Sequence, residues 1–203
     1  MKKAIVYVHG KGGSAEEAEY FRPLFPGCDV IGFDYRSETP WDAEIEFPAF
    51  FENLKKEYDT LILIANSIGA YFSMCAPTGE QIDRAFFISP VVDMKKLIED
   101  MLLWAGASKE ELQTRGSIPT PFGETLSWEY YVYVCEHPAF WKVPTEILYG
   151  GRDALIDRET VAAFAAKNNA RLTIMENGEH WFHTEEQLRF LNDWLRNAFK
   201  IKE

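Results

Sequence analysis

Residues 61–70 read LILIANSIGA. Leu61 to Ile64 is an unbroken aliphatic run. It ends at the small residue Ala65 and the polar pair Asn66-Ser67, and a second apolar stretch begins at Ile68. A short continuous apolar run bounded by turn signals is how a strand reads when both of its faces are covered. The stretch after Ser67 is apolar enough for a buried helix. Such a direct strand-to-helix turn forces its central residue into strained backbone geometry. Small residues two before and two after it, here Ala65 and Gly69, let strand and helix pack closely. The spacing is that of G-x-S-x-G, with Ala65 at the place of the first glycine.

Similar runs recur on both sides: Ala4–Val8, Val30–Phe33, Ala85–Ile88, Glu146–Tyr149 and Arg171–Met175. Helix starts lie between them. Ser14-Ala-Glu-Glu17 and Thr184-Glu-Glu-Gln187 have the spacing of capping boxes. The second opens a helix whose apolar face is Leu188, Leu191, Trp194, Leu195 and Ala198. Asp157 caps a helix over 158–167, which ends at Asn168-Asn169. Strand–helix repetition of this kind predicts a parallel, doubly wound α/β sheet. One segment breaks the alternation. Met94–Trp104 reads as a helix, Ser108 caps a second, and Glu129–Cys135 is aromatic and fits helix or strand. We expect residues 93–143 to be an insertion over one edge of the sheet, within a single domain spanning 1–203.

The composition fits this picture. A chain of 203 residues with 47% hydrophobic and 26% charged residues is ordinary globular protein. At this length roughly 70% of the unfolded surface is buried without help from metals or disulfides. Cys28, Cys75 and Cys135 have neither zinc-ligand nor disulfide-framework spacing, and no metal is expected. Lys and Arg total 21 against 32 Asp and Glu, a net charge of −11. That argues against nucleic acid or an anionic membrane as partner. No secretory signal and no apolar run of membrane-spanning length is evident, so a reduced, cytoplasmic protein is expected. The oligomeric state is not readable.

Three chemically capable residues each follow a strand, where open α/β sheets bind their ligands. Ser67 is the first. Asp153 follows Gly150-Gly151-Arg152 after the fifth run; a carboxylate there can fix an imidazole's tautomer and stabilise its cation. His180, in Gly178-Glu179-His180, is the third. His183 competes with it but precedes the Thr184 cap, and Asp93 and Asp157 are rival acids. The chain order Ser, Asp, His differs from that of chymotrypsin or subtilisin. A fourth feature is the glycine-rich stretch His9-Gly10-Lys11-Gly12-Gly13-Ser14 after the first strand. Acyl transfer needs two N–H donors aimed at a developing oxyanion. The Ile68 N–H supplies one and the Lys11 N–H the other, with Gly12 as alternative.

The chain resembles the α/β-hydrolase superfamily, in particular its small bacterial serine hydrolases. The likeness runs from HGKGGS (9–14) through ANSIGA (65–70) and YGGRD (149–153) to NGEHWFHTEEQLRFLNDWL (177–195). The resemblance implies Ser67 as nucleophile, His180 as base, Asp153 as orienting acid, and the Lys11 and Ile68 N–H groups as oxyanion hole. Ala4–Val8 stands where the family usually counts its third strand. The implied fold is therefore a minimal one: six parallel strands in the order 2-1-3-4-5-6, helices on both faces, and a helical cap at about 93–143. The implied activity is cleavage of a carboxylic ester with small or medium apolar groups through an acyl-enzyme, without cofactor. The cap is rich in aromatics, and Trp128 and Tyr131 are candidates for a substrate pocket. Two other readings compete. The fold could serve as a binding module without catalysis. Alternatively, Gly10-Lys11-Gly12-Gly13-Ser14-Ala15 with Asp34 about 20 residues on fits a dinucleotide-binding fingerprint of oxidoreductases.

Overall fold

The computed structural model describes residues 1–200. The chain forms two compact units, one of Met1–Val92 with Trp141–Glu203 and the other of Asp93–Phe140.

The first unit begins with strands β1 (Lys3–Val8) and β2 (Asp29–Gly32), separated by a 3₁₀ turn over Ala15–Glu17 and the short helix α1 (Ala18–Phe21). Helix α2 (Pro40–Lys55), strand β3 (Thr60–Asn66), helix α3 (Ile68–Cys75) and strand β4 (Arg84–Ile88) follow. The second unit comes next in the chain, with helices α4 (Met94–Trp104) and α5 (Lys109–Arg115), a hairpin of β5 (Ser117–Pro119) and β6 (Thr125–Ser127), and helix α6 (Trp128–Glu136). The first unit resumes with β7 (Thr145–Gly150), α7 (Arg158–Lys167), β8 (Arg171–Met175) and α8 (Glu185–Lys200).

Its sheet is six-stranded and parallel throughout, in the order β2-β1-β3-β4-β7-β8. Counted among sheet strands alone, this is the order expected from the sequence. Both faces are covered, which is why the strands read as apolar runs rather than alternating ones. One face carries Ile5, Tyr7, Ile62, Ile64, Phe86 and Ile88, packed with Phe21 of α1 and Leu191, Trp194 and Leu195 of α8. The opposite face carries the intervening residues, among them Val6, Val8, Leu63, Ala65 and Phe87, all fully buried. Phe47 of α2 and Phe72 of α3 meet edge to face with ring centroids 6.4 Å apart.

The structure revises several local expectations. Ser14 starts the first turn without capping it through its side chain: the Glu17 N–H that the cap would hold donates to the Ser14 carbonyl instead, and the Glu17 carboxylate that would complete the box accepts from the Tyr7 hydroxyl. Thr184 does cap α8, accepting from Gln187 N–H at 3.3 Å. Glu129–Cys135 resolves as helix, within α6, with Ser127 capping it. The hairpin was not foreseen. Trp141 belongs to the first unit: its ring lies 5.3 Å from Phe87 and its indole N–H donates to Thr145. Among the described residues no helix is long and apolar enough to cross a membrane.

A buried ion pair ties β4 to β7. Arg84 meets Glu146 of β7, both side chains being nearly nine-tenths buried, and also donates to the Ala198 carbonyl near the end of α8. Removing one partner of such a pair strands the other charge in a low-dielectric interior. Glu146→Ala is therefore expected to cost about 3 kcal/mol or more. In a chain of this size that lowers Tm by about 6 °C or more. Thermal unfolding followed by circular dichroism checks this, and an unchanged Tm would mean the pair contributes nothing.

Candidate active site

Ser67 sits between β3 and α3 at φ 51°, ψ −120°. A positive φ at a residue bearing a Cβ costs roughly 1–3 kcal/mol and persists only where its surroundings enforce it. Here Ser67 N–H donates to the Ile88 carbonyl at 3.0 Å, and the Ser67 carbonyl accepts from Ala70 and Val91 N–H groups. Gly69 is required by close approach. A Cβ at that position would lie 2.3 Å from the His9 carbonyl oxygen and 2.8 Å from that of Val8. The start of α3 thus packs directly on the end of β1. Ala65, at the other small position, is fully buried between Val8 and Phe87 in register.

The turns after β7 and β8 interlock through their glycines. A Cβ on Gly150 would stand 2.4 Å from the Glu179 carbonyl oxygen. Arg152 N–H donates to the Gly178 carbonyl and Gly151 N–H to that of Met175, both at 2.8 Å. This interlock brings Asp153 to His180. The Asp153 side chain is fully buried, and its Oδ2 lies 2.7 Å from His180 Nδ1. Its Oδ1 accepts from the Leu155 and Ile156 N–H groups at 2.8 and 3.1 Å, so every charge-bearing oxygen is satisfied. The neighbouring Tyr149 phenol is pushed up to about 12, first by burial and then by the Asp153 and Asp157 carboxylates.

His180 Nε2 lies 2.9 Å from Ser67 Oγ. With Nδ1–H assigned as donor to the carboxylate, Nε2 carries the lone pair and accepts from the serine hydroxyl. The competitors are engaged elsewhere. His183 stacks on Trp181, with its Nδ1 2.8 Å from the Trp181 carbonyl. Asp93 caps α4 by accepting from Lys96 N–H, and Asp157 caps α7 by accepting from Thr160 N–H.

The glycine-rich stretch closes into a turn in which Gly13 N–H donates to the Gly10 carbonyl. Gly12, at φ 74°, occupies the third position, where a type II turn takes a positive φ. A Cβ on Gly10 would lie 3.2 Å from Ser67 Cβ, so this turn abuts the elbow that Ser67 forms between β3 and α3. Lys11 is its second residue, and Ile68 opens α3 with an N–H that has no intrahelical partner. The elements after this turn disfavour dinucleotide binding. Where a fingerprint would place a pyrophosphate at a helix N-terminus, the chain runs into a three-residue 3₁₀ turn and a four-residue helix. Among the described residues no group of three or more His, Cys, Asp or Glu side chains could hold a metal.

Trp128 and Tyr131 lie on α6 in the second unit. Tyr131 is buried and donates to Glu99 at 2.7 Å, and Trp128 is half-buried with its ring 5.6 Å from that of Tyr131. Gln187 escaped the sequence reading except as part of a cap. Its buried amide accepts from His183 N–H at 3.0 Å and donates to Glu179 at 3.4 Å, gripping the chain on both sides of His180.

No family model matches the chain. A protein of Mycoplasma genitalium named "Putative esterase/lipase 3" is 26% identical over 103 residues, 44% of this chain and 37% of that protein, so the match spans about a third of its relative's length. Among solved structures, the mouse α/β hydrolase domain-containing protein 10 superposes with a TM-score of 0.79 at 14% identity, over 98% of this chain and 90% of that one. Est1E from Butyrivibrio proteoclasticus does so with a TM-score of 0.76 at 18% identity, over 98% and 86%. Sheet order, elbow and the agreement with these structures over nearly the whole length establish that this chain has the α/β-hydrolase fold.

Proposed function

We propose that this protein is a serine hydrolase that cleaves a carboxylic ester of small or medium apolar groups. The observation that carries the reading is the continuous hydrogen-bonded line from Ser67 Oγ through His180 to the buried Asp153, with steps of 2.9 and 2.7 Å. In this reading Ser67 Oγ attacks the ester carbonyl carbon as its proton passes to His180 Nε2. The carbonyl oxygen becomes an oxyanion facing the Ile68 and Lys11 N–H groups. As the tetrahedral centre collapses, the carbon–oxygen bond to the alcohol breaks and the alcohol leaves with the proton from His180. Water, giving its proton to His180, then attacks the acyl-serine. The acid departs, and the proton returns to Ser67. Asp153 stays ionised and stabilises the imidazolium in both halves. No cofactor is needed. The esterase/lipase name of the Mycoplasma relative supports an ester as the bond broken, and the net charge of −11 suits a neutral small molecule better than a polyanion.

The test is hydrolysis of p-nitrophenyl acetate, butyrate and octanoate by the purified chain. Turnover of the shorter esters is expected, and no release of nitrophenol beyond the buffer rate would refute the reading. The same assay checks the acid. Asp153→Asn keeps the geometry but imposes the wrong imidazole tautomer, and is expected to lower kcat by about 10³- to 10⁴-fold. Asp93→Asn, which alters only a helix cap, should leave kcat near wild type. A crippled Asp93→Asn beside an active Asp153→Asn would move the acid one strand earlier.

A further inference from the structure

We propose that Tyr35 is a positioning residue for the turn that faces the oxyanion, acting through the His9 carbonyl; the proposal rests on the ester-hydrolase reading above. Tyr35 follows β2, remote in sequence from both the turn and the elbow. Its hydroxyl donates to the His9 carbonyl at 2.9 Å. Its ring stacks on the His9 imidazole, with centroids 4.3 Å apart and planes 15° from parallel. His9 Nδ1 in turn lies 2.8 Å from the Gly10 carbonyl, the same oxygen that accepts from Gly13 N–H to close the turn. Tyr35 therefore holds His9 by backbone and by ring, and His9 holds the turn.

The anchor itself cannot drift. Tyr35 is buried, with Phe33, Phe47 and Phe72 rings around it. Burial first, then the Glu46 and Glu17 carboxylates, raise its phenol above the ordinary range, so it remains a donor. The turn needs such an anchor, because Lys11 and Gly12 are exposed and glycine flanks Lys11 on both sides. Oxyanion donors act only if they are in place before charge develops.

The test is Tyr35→Phe, which deletes one hydroxyl and keeps the stacked ring. The expected result is a fall in kcat for p-nitrophenyl acetate of roughly ten- to a hundredfold, the scale of a misplaced catalytic group. KM should be little changed, and amide hydrogen exchange should quicken at residues 10–13 but not in the sheet. Unchanged kcat overturns the proposal. So does a fall in kcat accompanied by faster exchange throughout the sheet, which would mark general destabilisation. If the wild-type chain does not hydrolyse the ester, the ester-hydrolase reading fails by itself. Exchange at residues 10–13 then decides whether Tyr35 holds the turn, unchanged exchange overturning the proposal and locally faster exchange upholding it.

Discussion

Ser67→Ala is expected to lower kcat for a p-nitrophenyl ester by about four orders of magnitude or more, the effect of deleting the nucleophile of a triad. Stability should hardly change. The hydroxyl's hydrogen bond is to His180, and alanine suffers the same backbone strain at φ 51° that serine already bears. Stopped assays on wild type and variant, with Tm measured on both, check the two halves together. A variant that retains more than about 1% of wild-type kcat would show that Ser67 is not the nucleophile.

His180→Ala is expected to cost a similar factor, because the members of a triad act as a unit and losing one forfeits most of what the set provides. His183→Ala is the control. Its imidazole is satisfied by the Trp181 carbonyl and stacked on the Trp181 ring, so its removal should shift kcat by no more than about threefold, the scale of a surface change of well under 1 kcal/mol. If His183→Ala is the crippling change and His180→Ala the mild one, the base has been assigned to the wrong residue.

These residues were legible in the sequence because each follows its own strand, and a parallel sheet gathers the ends of its strands on one edge. The strands themselves were legible because burial on both faces leaves an apolar run that needs no partner to be recognised. What escaped depends on contacts between distant segments. Tyr35 and Gln187 look like ordinary polar positions until the fold places the His9 carbonyl and the chain flanking His180 against them. The Ser14 cap failed for the same reason. Its local spacing was right, but Tyr7 on β1 takes the Glu17 carboxylate, and the Glu17 N–H closes a tight turn on the Ser14 carbonyl rather than on its hydroxyl. Trp141 read as part of the insertion because no convincing strand appears between Asp93 and Val143, whereas its packing partner Phe87 is a sheet residue. The hairpin of Ser117–Pro119 with Thr125–Ser127 is only three residues per strand, too short for alternation to stand out.

The most direct test of the account is labelling with a fluorophosphonate, which forms a phosphonyl ester only with a hydroxyl activated by a neighbouring base. The full chain should gain the mass of one adduct, and fragmentation of its peptides should place that adduct on Ser67. The adduct should be lost in Ser67→Ala and strongly slowed in His180→Ala. An unlabelled wild-type chain, or an adduct on another residue such as the buried Ser89, would contradict the claim that Ser67, His180 and Asp153 form a working nucleophilic site.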